Sequence, residues 1–198
     1  MPQQRAAVTR DKLIHTATDL IRRKGFVATR IDDVCELSGV TKGAFFHHFK
    51  TKEDLAEGCL AAFGQALADT LKKAPFQKAA TPKKRALGSM EFFIKLFDDP
   101  KTLKSCPVGT TIQETSETHP QLREAAHHCF TRLKDFFKAM FDEACEEKKP
   151  RVDTASLADL WISTIQGSLI VYKASRDPSL IRKNLQHVQQ YIAGYLPE

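Results

Sequence analysis

The chain has 198 residues, of which 42% are apolar and 27% charged, and its formal net charge at pH 7 is +6. This length is sufficient to bury a core in one domain, or in a small domain joined to a larger one. No segment approaches the roughly 18 consecutive apolar residues of a membrane span, and the N-terminal MPQQRAAVTRDK lacks the apolar centre of a signal peptide. We therefore expect a cytoplasmic protein.

The positive charge is not concentrated in one part of the chain. Residues 1–55 carry ten Lys and Arg against seven Asp and Glu, and residues 56–198 carry twenty against seventeen. The five cysteines are an odd number without a C-x-x-C pair, which in a reducing compartment favours thiols over a disulfide framework. Composition therefore does not locate a binding site in the chain, and we use sequence motifs to locate one.

Apolar residues recur at helical spacing along nearly the whole chain, and no run alternates as a strand would. A first helix is predicted from about Thr9 to Lys24, where a glycine follows as a stop signal. A second, short helix covers about 31–38. Either Thr29 or Arg30 precedes it as a cap, with the Thr-x-x-acid spacing of a helix start. The pattern predicts an all-α fold of about nine helices.

The third helix lies in the segment SGVTKGAFFHHFKTKEDL, where a glycine turn precedes it. With Thr41 as its cap and 100° between successive residues, Phe45 and Phe49 fall on one face and point inward. They are predicted to pack against three apolar side chains of the second helix and the turn, Val34, Leu37 and Val40. Two helices joined by a glycine-containing turn form a helix-turn-helix, whose second helix enters the DNA major groove.

The opposite face of the third helix has the properties of a DNA-reading surface. It carries Gly43 and His47, and Gly43 lets the backbone approach bases or sugar-phosphate closely. Ala44 and Phe46 offer apolar surface to thymine methyl groups, and Lys42 can reach guanine acceptors or a phosphate. We therefore predict that this face binds DNA. The alternative is a solvated helix without a ligand.

The fourth helix is predicted over about 51–73, with Glu53 and Asp54 in its first turn. Lys50 and Lys52, together with the N–H groups that open this helix, are predicted to form a phosphate clamp.

Two histidine-containing clusters are not predicted to bind metal. The pair His47-His48 and the triplet His127-His128-Cys129 each consist of neighbours on a helix, which point about 100° apart and cannot converge on one ion. We predict no metal site and no cofactor.

Residues 9–55, TRDKLIHTATDLIRRKGFVATRIDDVCELSGVTKGAFFHHFKTKEDL, resemble the N-terminal domain of the TetR family of one-component transcriptional regulators. The most specific parts are Lys-Gly-Phe after the first helix, the Leu-Ser-Gly-Val turn and the run from Lys42 to Lys52. The resemblance implies an all-helical homodimer in which residues 1–50 bind a double-stranded operator and residues 51–198 bind an effector and dimerise. Effector binding would release the DNA.

Two positions depart from the family pattern. Phe46 stands where tyrosine is usual, so a phosphate contact from a hydroxyl is lost or replaced. Arg30 stands where serine or threonine is frequent, and it could supply the replacement. The predicted DNA-binding residues are Arg30, Thr41, Lys42, Gly43, Ala44, Phe46, His47, His48, Lys50 and Lys52.

Beyond a predicted loop at 75–82, five more helices complete the chain. Thr81 and Asp153 are the predicted caps of the first and the fourth of them. They cover about 82–99, 108–117, 120–147, 153–175 and 178–195.

Large apolar residues are frequent between positions 90 and 172, and the chain has thirteen phenylalanines. Most are expected to form an ordinary core. The family resemblance implies that some line an effector cavity, and the candidates are Phe93, Phe137 and Trp161. An aromatic cavity with few charges would suit a small apolar or electrophilic molecule.

The last two helices carry apolar stripes that predict an interface. Two such helices from each subunit would form a four-helix contact, as is typical of the family. The same stripes could instead pack within one chain. The predicted interface residues are Ile165, Leu169, Ile181, Leu185, Val188 and Ile192.

Cys106, in KSCPVGTTIQET, precedes Pro107 near a predicted helix start. The positive end of the helix and Lys104 would favour its thiolate. This segment, with the later Lys173, is similar to the TetR branch that contains the N-ethylmaleimide-reductase repressor. The resemblance implies a cysteine that senses electrophiles or oxidants and a lysine that approaches it. The alternative is a small apolar residue at a loop-to-helix junction.

These features predict a ligand- or redox-responsive transcriptional regulator. Its simplest form is a homodimeric repressor that a small apolar or electrophilic effector, or an oxidant, releases from a palindromic operator. The alternatives are a thiol-based redox protein or small helical enzyme without DNA binding, and a helical interaction module. No nucleotide-binding loop, nucleophile elbow or metal signature supports an enzyme. Salt-dependent DNA binding would separate these classes.

Overall fold

The computed structural model describes residues 2–98, 105–145 and 152–197. Within these ranges the regular structure consists of nine α-helices and a short 3₁₀ helix, Pro75–Lys78, without a strand, so the all-α prediction is confirmed. The helices are α1 (Pro2–Lys24), α2 (Ile31–Ser38), α3 (Lys42–His48), α4 (Lys52–Lys73), α5 (Pro82–Asp98), α6 (Pro107–Thr115), α7 (Pro120–Cys145), α8 (Thr154–Ser175) and α9 (Ser179–Ala193). None of them is both long and apolar enough to cross a membrane.

Two helices begin at a residue whose side chain accepts a hydrogen bond from a backbone N–H group of the first turn. The Thr41 hydroxyl accepts a hydrogen bond from Ala44 N at 3.2 Å, and the Asp153 carboxylate accepts one from Ala155 N at 3.0 Å, as predicted. The predicted role of Thr29 as a cap is wrong. Its hydroxyl donates backwards to the Gly25 carbonyl oxygen at 2.6 Å, and the N-cap residue of α2 is Arg30, without a side-chain capping bond.

Contacts divide the chain into two compact units. The first comprises residues 1–67 and 105–129, and the second comprises residues 68–104 and 130–198. Besides α1 to α3, the first unit therefore contains α4 up to residue 67, α6, and α7 up to residue 129, which differs from a division at residue 50. The functional boundary at that residue stays a prediction.

The core of the first unit orients α3. Phe45 is 0% exposed and Phe49 is 4% exposed, so the predicted inward face of α3 is the buried one. Leu37, predicted to join them, is 66% exposed. The buried face of α2 runs through Val34 and Cys35, and at 100° per residue this face turns Leu37 towards solvent.

In the second unit, α8 packs along α9, and α9 also packs against α5. This packing contradicts most of the predicted interface, because a side chain inside one chain cannot contact a partner. Of the six predicted residues, Val188 is partly exposed. The five others are buried within the protomer: Ile165, Leu169, Ile181, Leu185 and Ile192.

Candidate nucleic-acid interface

The outward face of α3 is exposed in the arrangement that its periodicity predicts. Gly43 and His47 are exposed, and so is Phe46, at 52% of its surface. Ala44 and His48 on the flanks are partly buried. A methyl group added at Gly43 would meet no atom within 4 Å, so the space in front of this turn is open.

A cleft of about 340 Å³ opens beside this face. It lies where the α1–α2 turn, the N-terminus of α2 and α3 meet, and it brings together residues that are far apart in sequence. Three of its lining side chains are cations, and four of the predicted DNA-binding residues belong to it. The lining residues are Val27, Thr29, Arg30, Ile31, Asp32, Lys42, Phe46 and Lys52.

Lys42 is paired with an acidic residue in this cleft. Its Nζ lies 2.6 Å from Asp32 Oδ1, and the two side chains are 62% and 52% exposed. An ion pair this exposed contributes little stability, because water and salt screen it. It does place a carboxylate where an incoming phosphate or base would approach Lys42. Sequence reasoning missed Asp32, which belongs to the preceding helix.

Lys52 also lies in the cleft, but its ammonium group is held by the protein. Nζ donates hydrogen bonds to the carbonyl oxygens of Phe26, at 3.1 Å, and Val27, at 3.4 Å. It also lies 4.1 Å from the centroid of the Phe26 ring, which is cation–π distance. Lys52 therefore fixes the α1–α2 turn, and Lys50, which is exposed, is the lysine of the pair that projects into solvent.

A capping box lies at the start of α4, where the phosphate clamp is predicted. The N–H groups of Lys50 and Thr51 both donate to Asp54 Oδ2, each at 3.1 Å. The Thr51 hydroxyl in turn accepts from Asp54 N at 3.0 Å. This reciprocal capping box uses the N–H groups of the two residues before α4, whereas the predicted clamp uses those that open the helix, so the clamp stays a prediction.

The α1–α2 turn is anchored from α6 as well. Gly25 has φ +88°, in the left-handed region that favours glycine. Glu114 Oε2 accepts a hydrogen bond from Val27 N at 2.9 Å, and a Cβ on Gly25 would lie 1.9 Å from Glu114 Oε1. The backbone conformation at Gly25 thus favours glycine, and the Glu114 carboxylate occupies the space that a Cβ would fill. A contact across 87 residues leaves no signal in local sequence.

The segment before α6 is attached to the end of α1. Arg22 Nε donates to the Ser105 carbonyl oxygen at 2.8 Å, and Ser105 Oγ donates to the Arg22 carbonyl oxygen at 2.6 Å. Burial lowers the pKa of Arg22, and the attraction of Cys106 and Asp19 partly opposes this. Cys106 itself is partly buried and is the N-cap residue of α6, where a helix start was predicted.

Lys173 is exposed on α8 in the second unit, whereas Cys106 belongs to the first. The approach of Lys173 to Cys106 stays a prediction.

Three other cysteines are poor candidates for thiol chemistry. Burial raises the pKa of Cys59 to about 11, and it also raises the pKa of Cys35 and Cys145. Raised values reduce the thiolate fraction near neutral pH, and the thiolate is the reactive form.

The histidine pair of α3 has the geometry of two neighbouring rings. The centroids of His47 and His48 are 5.3 Å apart and their planes meet at 71°. Within the described residues, no group of three His, Cys, Asp or Glu side chains is arranged to hold a metal ion.

The predicted effector residues lie together in the core of the second unit. Phe137 and Trp161 are 0% exposed and Phe93 is 3% exposed. The Phe137 ring centroid is 5.3 Å from that of Phe93 and 6.0 Å from that of Trp161. The three rings therefore contact one another in series, which is consistent with either an ordinary core or a ligand site.

Comparison with known proteins assigns both parts of the chain to regulators. Residues 13–59 match the family of bacterial regulatory proteins of tetR type, and residues 82–187 match the C-terminal domain of LmrA/YxaF-like transcriptional regulators. The chain is 26% identical over 176 residues to the uncharacterized HTH-type transcriptional regulator YxaF of Bacillus subtilis (strain 168), covering 85% of this chain and 87% of that protein.

Solved structures share the fold. A TetR transcriptional regulator from Chloroflexus aurantiacus superposes with a TM-score of 0.85 at 20% identity over 98% of both chains. The reduced form of NemR from E. coli superposes with a TM-score of 0.77 at 21% identity, over 92% of this chain and 95% of that one.

Proposed function

This chain belongs to the TetR family of transcriptional regulators, and we propose that it is a homodimeric repressor that a small effector releases from a near-palindromic operator. The observation that carries the proposal is the outward face of α3, with its open space at Gly43 and the basic cleft beside it. A regulator that reads DNA acts in the cytoplasm, and no catalytic role is needed for this function.

We infer that different residues of the interface contact the bases and the phosphates. Gly43, Phe46 and His47 face outward on the helix that would enter the major groove. Arg30 at the start of α2 and the exposed Lys50 would contact phosphates on either side and fix the register of the helix.

A Gly43→Leu variant tests this proposal directly. The new side chain has room in the protein, so folding should be unchanged, but it would keep α3 from approaching the bases. Affinity for an operator selected from a random DNA pool should fall to the non-specific level, about 1000-fold or more weaker. Fluorescence anisotropy with labelled duplexes measures this.

The matched control is Ala62→Leu, which adds the same side chain at an exposed position of α4. It should bind the operator like the wild type. Wild-type affinity in the Gly43→Leu variant, with circular dichroism showing the same helix content, would exclude α3 as the reading helix.

The proposed dimer contact lies on the exposed side of α8. This helix has only two charged residues, Asp159 and Lys173, and three of its large apolar side chains, Leu160, Ile170 and Val171, are exposed. Leu160 is 38% exposed and Val171 is 48% exposed, and Gly167 lies between them with open space in front of it. Large apolar side chains exposed on one helix favour an interface, and a second copy of the chain would cover them.

A homodimer carries two reading helices, and both would have to enter the major groove of one duplex. Their centres should then be about 34–36 Å apart, one turn of DNA, or somewhat more.

Two triggers for release remain proposals. The aromatic core of the second unit supports a small apolar effector. The position of Cys106 at the start of α6, beside the Arg22 guanidinium, supports modification by an electrophile or oxidant. Either event would have to favour the DNA-incompetent state, because only a difference between two states shifts their balance.

A further inference from the structure

The indole N–H of Trp161 is a buried hydrogen-bond donor without a partner. Trp161 is 0% exposed, and its Nε1 has no acceptor within hydrogen-bond distance. Among the buried side-chain nitrogen and oxygen atoms of the described residues, only Thr111 Oγ1 shares this property. A buried polar group that makes no hydrogen bond costs stability, so it requires an explanation.

The other buried polar side chains of the second unit show that its packing does satisfy such groups. Ser89 Oγ donates to the Ala86 carbonyl oxygen at 2.7 Å, and Thr154 Oγ1 donates to Asp142 Oδ1 at 2.5 Å. Ser168 Oγ accepts from Asn184 Nδ2 at 3.2 Å. Trp161 is the exception within the described part of this unit, although a phenylalanine would fill an apolar position without leaving a donor unsatisfied.

A continuous series of aromatic rings connects the indole to the surface. Phe137 makes an edge contact with Trp161, with centroids 6.0 Å apart, and it also contacts Phe136 at 5.2 Å. Phe93 contacts Phe137 at 5.3 Å and Phe97 at 6.5 Å. Phe136 and Phe97 are both partly exposed. A ligand that reached the indole along this series would have to displace Phe137 as well as the outer rings, and it would meet no buried charge on the way.

The charges around this series restrict the ligand. No Asp, Glu, Lys or Arg side chain is buried in the described residues, so the core offers no counter-ion. An ionised carboxylate or ammonium would lose its hydration there without a compensating partner. A neutral molecule that carries a single acceptor would instead satisfy the indole N–H.

We propose that Trp161 Nε1 is the hydrogen-bond donor of the effector site and that the effector is neutral, largely apolar and carries a carbonyl-type acceptor oxygen, as esters, ketones and quinones do. This proposal rests on the proposed function, whose effector it assigns to a chemical class. The aromatic rings select an apolar body, and the indole N–H selects the acceptor.

The chain contains one tryptophan, so its indole N–H gives a single resonance in a ¹⁵N–¹H spectrum and reports on this site alone. Three probes of similar size separate the interactions, namely methyl benzoate, propylbenzene and benzoate. Methyl benzoate should move the indole proton downfield, as a new hydrogen bond does. Propylbenzene should not move it downfield, and benzoate should bind most weakly. These measurements use the wild-type protein and do not depend on a variant that folds.

A Trp161→Phe variant then removes the donor and keeps an aromatic ring. Equilibrium dialysis should show that its affinity for methyl benzoate falls about tenfold, as expected for one hydrogen bond, while its affinity for propylbenzene changes little. The control is Phe137→Leu, which alters the packing and retains the indole, so both probes should be affected alike.

An equal change for both probes in Trp161→Phe would overturn the proposal. So would an indole resonance that methyl benzoate does not move, or no binding of methyl benzoate. DNA binding by the probe-free protein is measured separately. Intact operator binding without ester selectivity contradicts this inference alone, whereas absent operator binding contradicts the proposed function.

Discussion

Lys50 and Lys52 are two positions apart, yet the structure gives them different surroundings. The ammonium group of Lys52 contacts two carbonyl oxygens and one ring face of the α1–α2 turn, whereas the side chain of Lys50 is exposed. Both were predicted to bind phosphate because both are cations next to a helix start. The structure shows that Lys52 holds the α1–α2 turn, and phosphate binding by Lys50 stays a prediction.

Alanine substitutions should separate these roles. Lys52→Ala removes two hydrogen bonds and a cation–π contact, so the free energy of unfolding should fall by about 1–2 kcal/mol. Lys50→Ala should leave that free energy unchanged and lower the slope of log affinity against log salt by about one unit. Urea denaturation and salt titrations measure the two effects. Unchanged stability in Lys52→Ala would contradict the positioning role.

Of the described helices, α8 exposes the most large apolar side chains to solvent. Residues 160, 164, 167 and 171 recur every three or four positions, so they share one side of the helix. Leu160 and Val171 on that side are apolar and exposed, whereas the side through Trp161 and Ile165 is buried. The proposed dimer contact therefore requires no change in the core.

The double substitution Leu160→Glu with Val171→Glu should produce folded monomers. Both side chains are exposed in the single chain, so the core is undisturbed, and four carboxylates would meet across the two-fold contact. Sedimentation velocity measures the change in association, and operator affinity should fall with it. Ile181→Val is the control, since this buried change should cost about 0.5–1.5 kcal/mol of stability and leave the dimer intact. An unchanged dimer in the double variant would locate the contact elsewhere.

Helices and caps could be predicted from sequence because they depend on neighbours within one turn. The starts of α3 and α8 follow from the side chains of Thr41 and Asp153. Contacts between distant segments could not be predicted in this way. Glu114 binds the α1–α2 turn across 87 residues, and nothing near it in the chain indicates this.

The predicted dimer interface shows the same limit of sequence-based prediction, because it too depends on contacts between distant segments. The stripe through Ile181, Leu185 and Ile192 was correctly identified as apolar, but periodicity does not distinguish packing within a chain from packing between two chains. The structure resolves this in favour of the chain's own core.

For the whole molecule, the net charge of +6 is a weak indicator, because residues 1–55 and the remainder of the chain contribute equally to it. The positions of the cations relative to α3 are more informative about DNA binding than the net charge is. Arg30, Lys42 and Lys52 line one cleft beside the exposed face, although Asp32 offsets part of their charge. DNA binding through such a surface should depend strongly on salt, since each neutralised phosphate releases counterions.

Operator reading by a dimer of this protein can be measured by equilibrium titration of a selected operator and of a scrambled duplex over a range of salt concentrations. We expect two chains per operator and a preference for the operator of about 1000-fold or more. Log affinity should fall linearly with log salt, with a slope of about 0.9 for each phosphate contacted. Equal affinity for both duplexes, or an affinity that does not change with salt, would contradict operator reading by this protein.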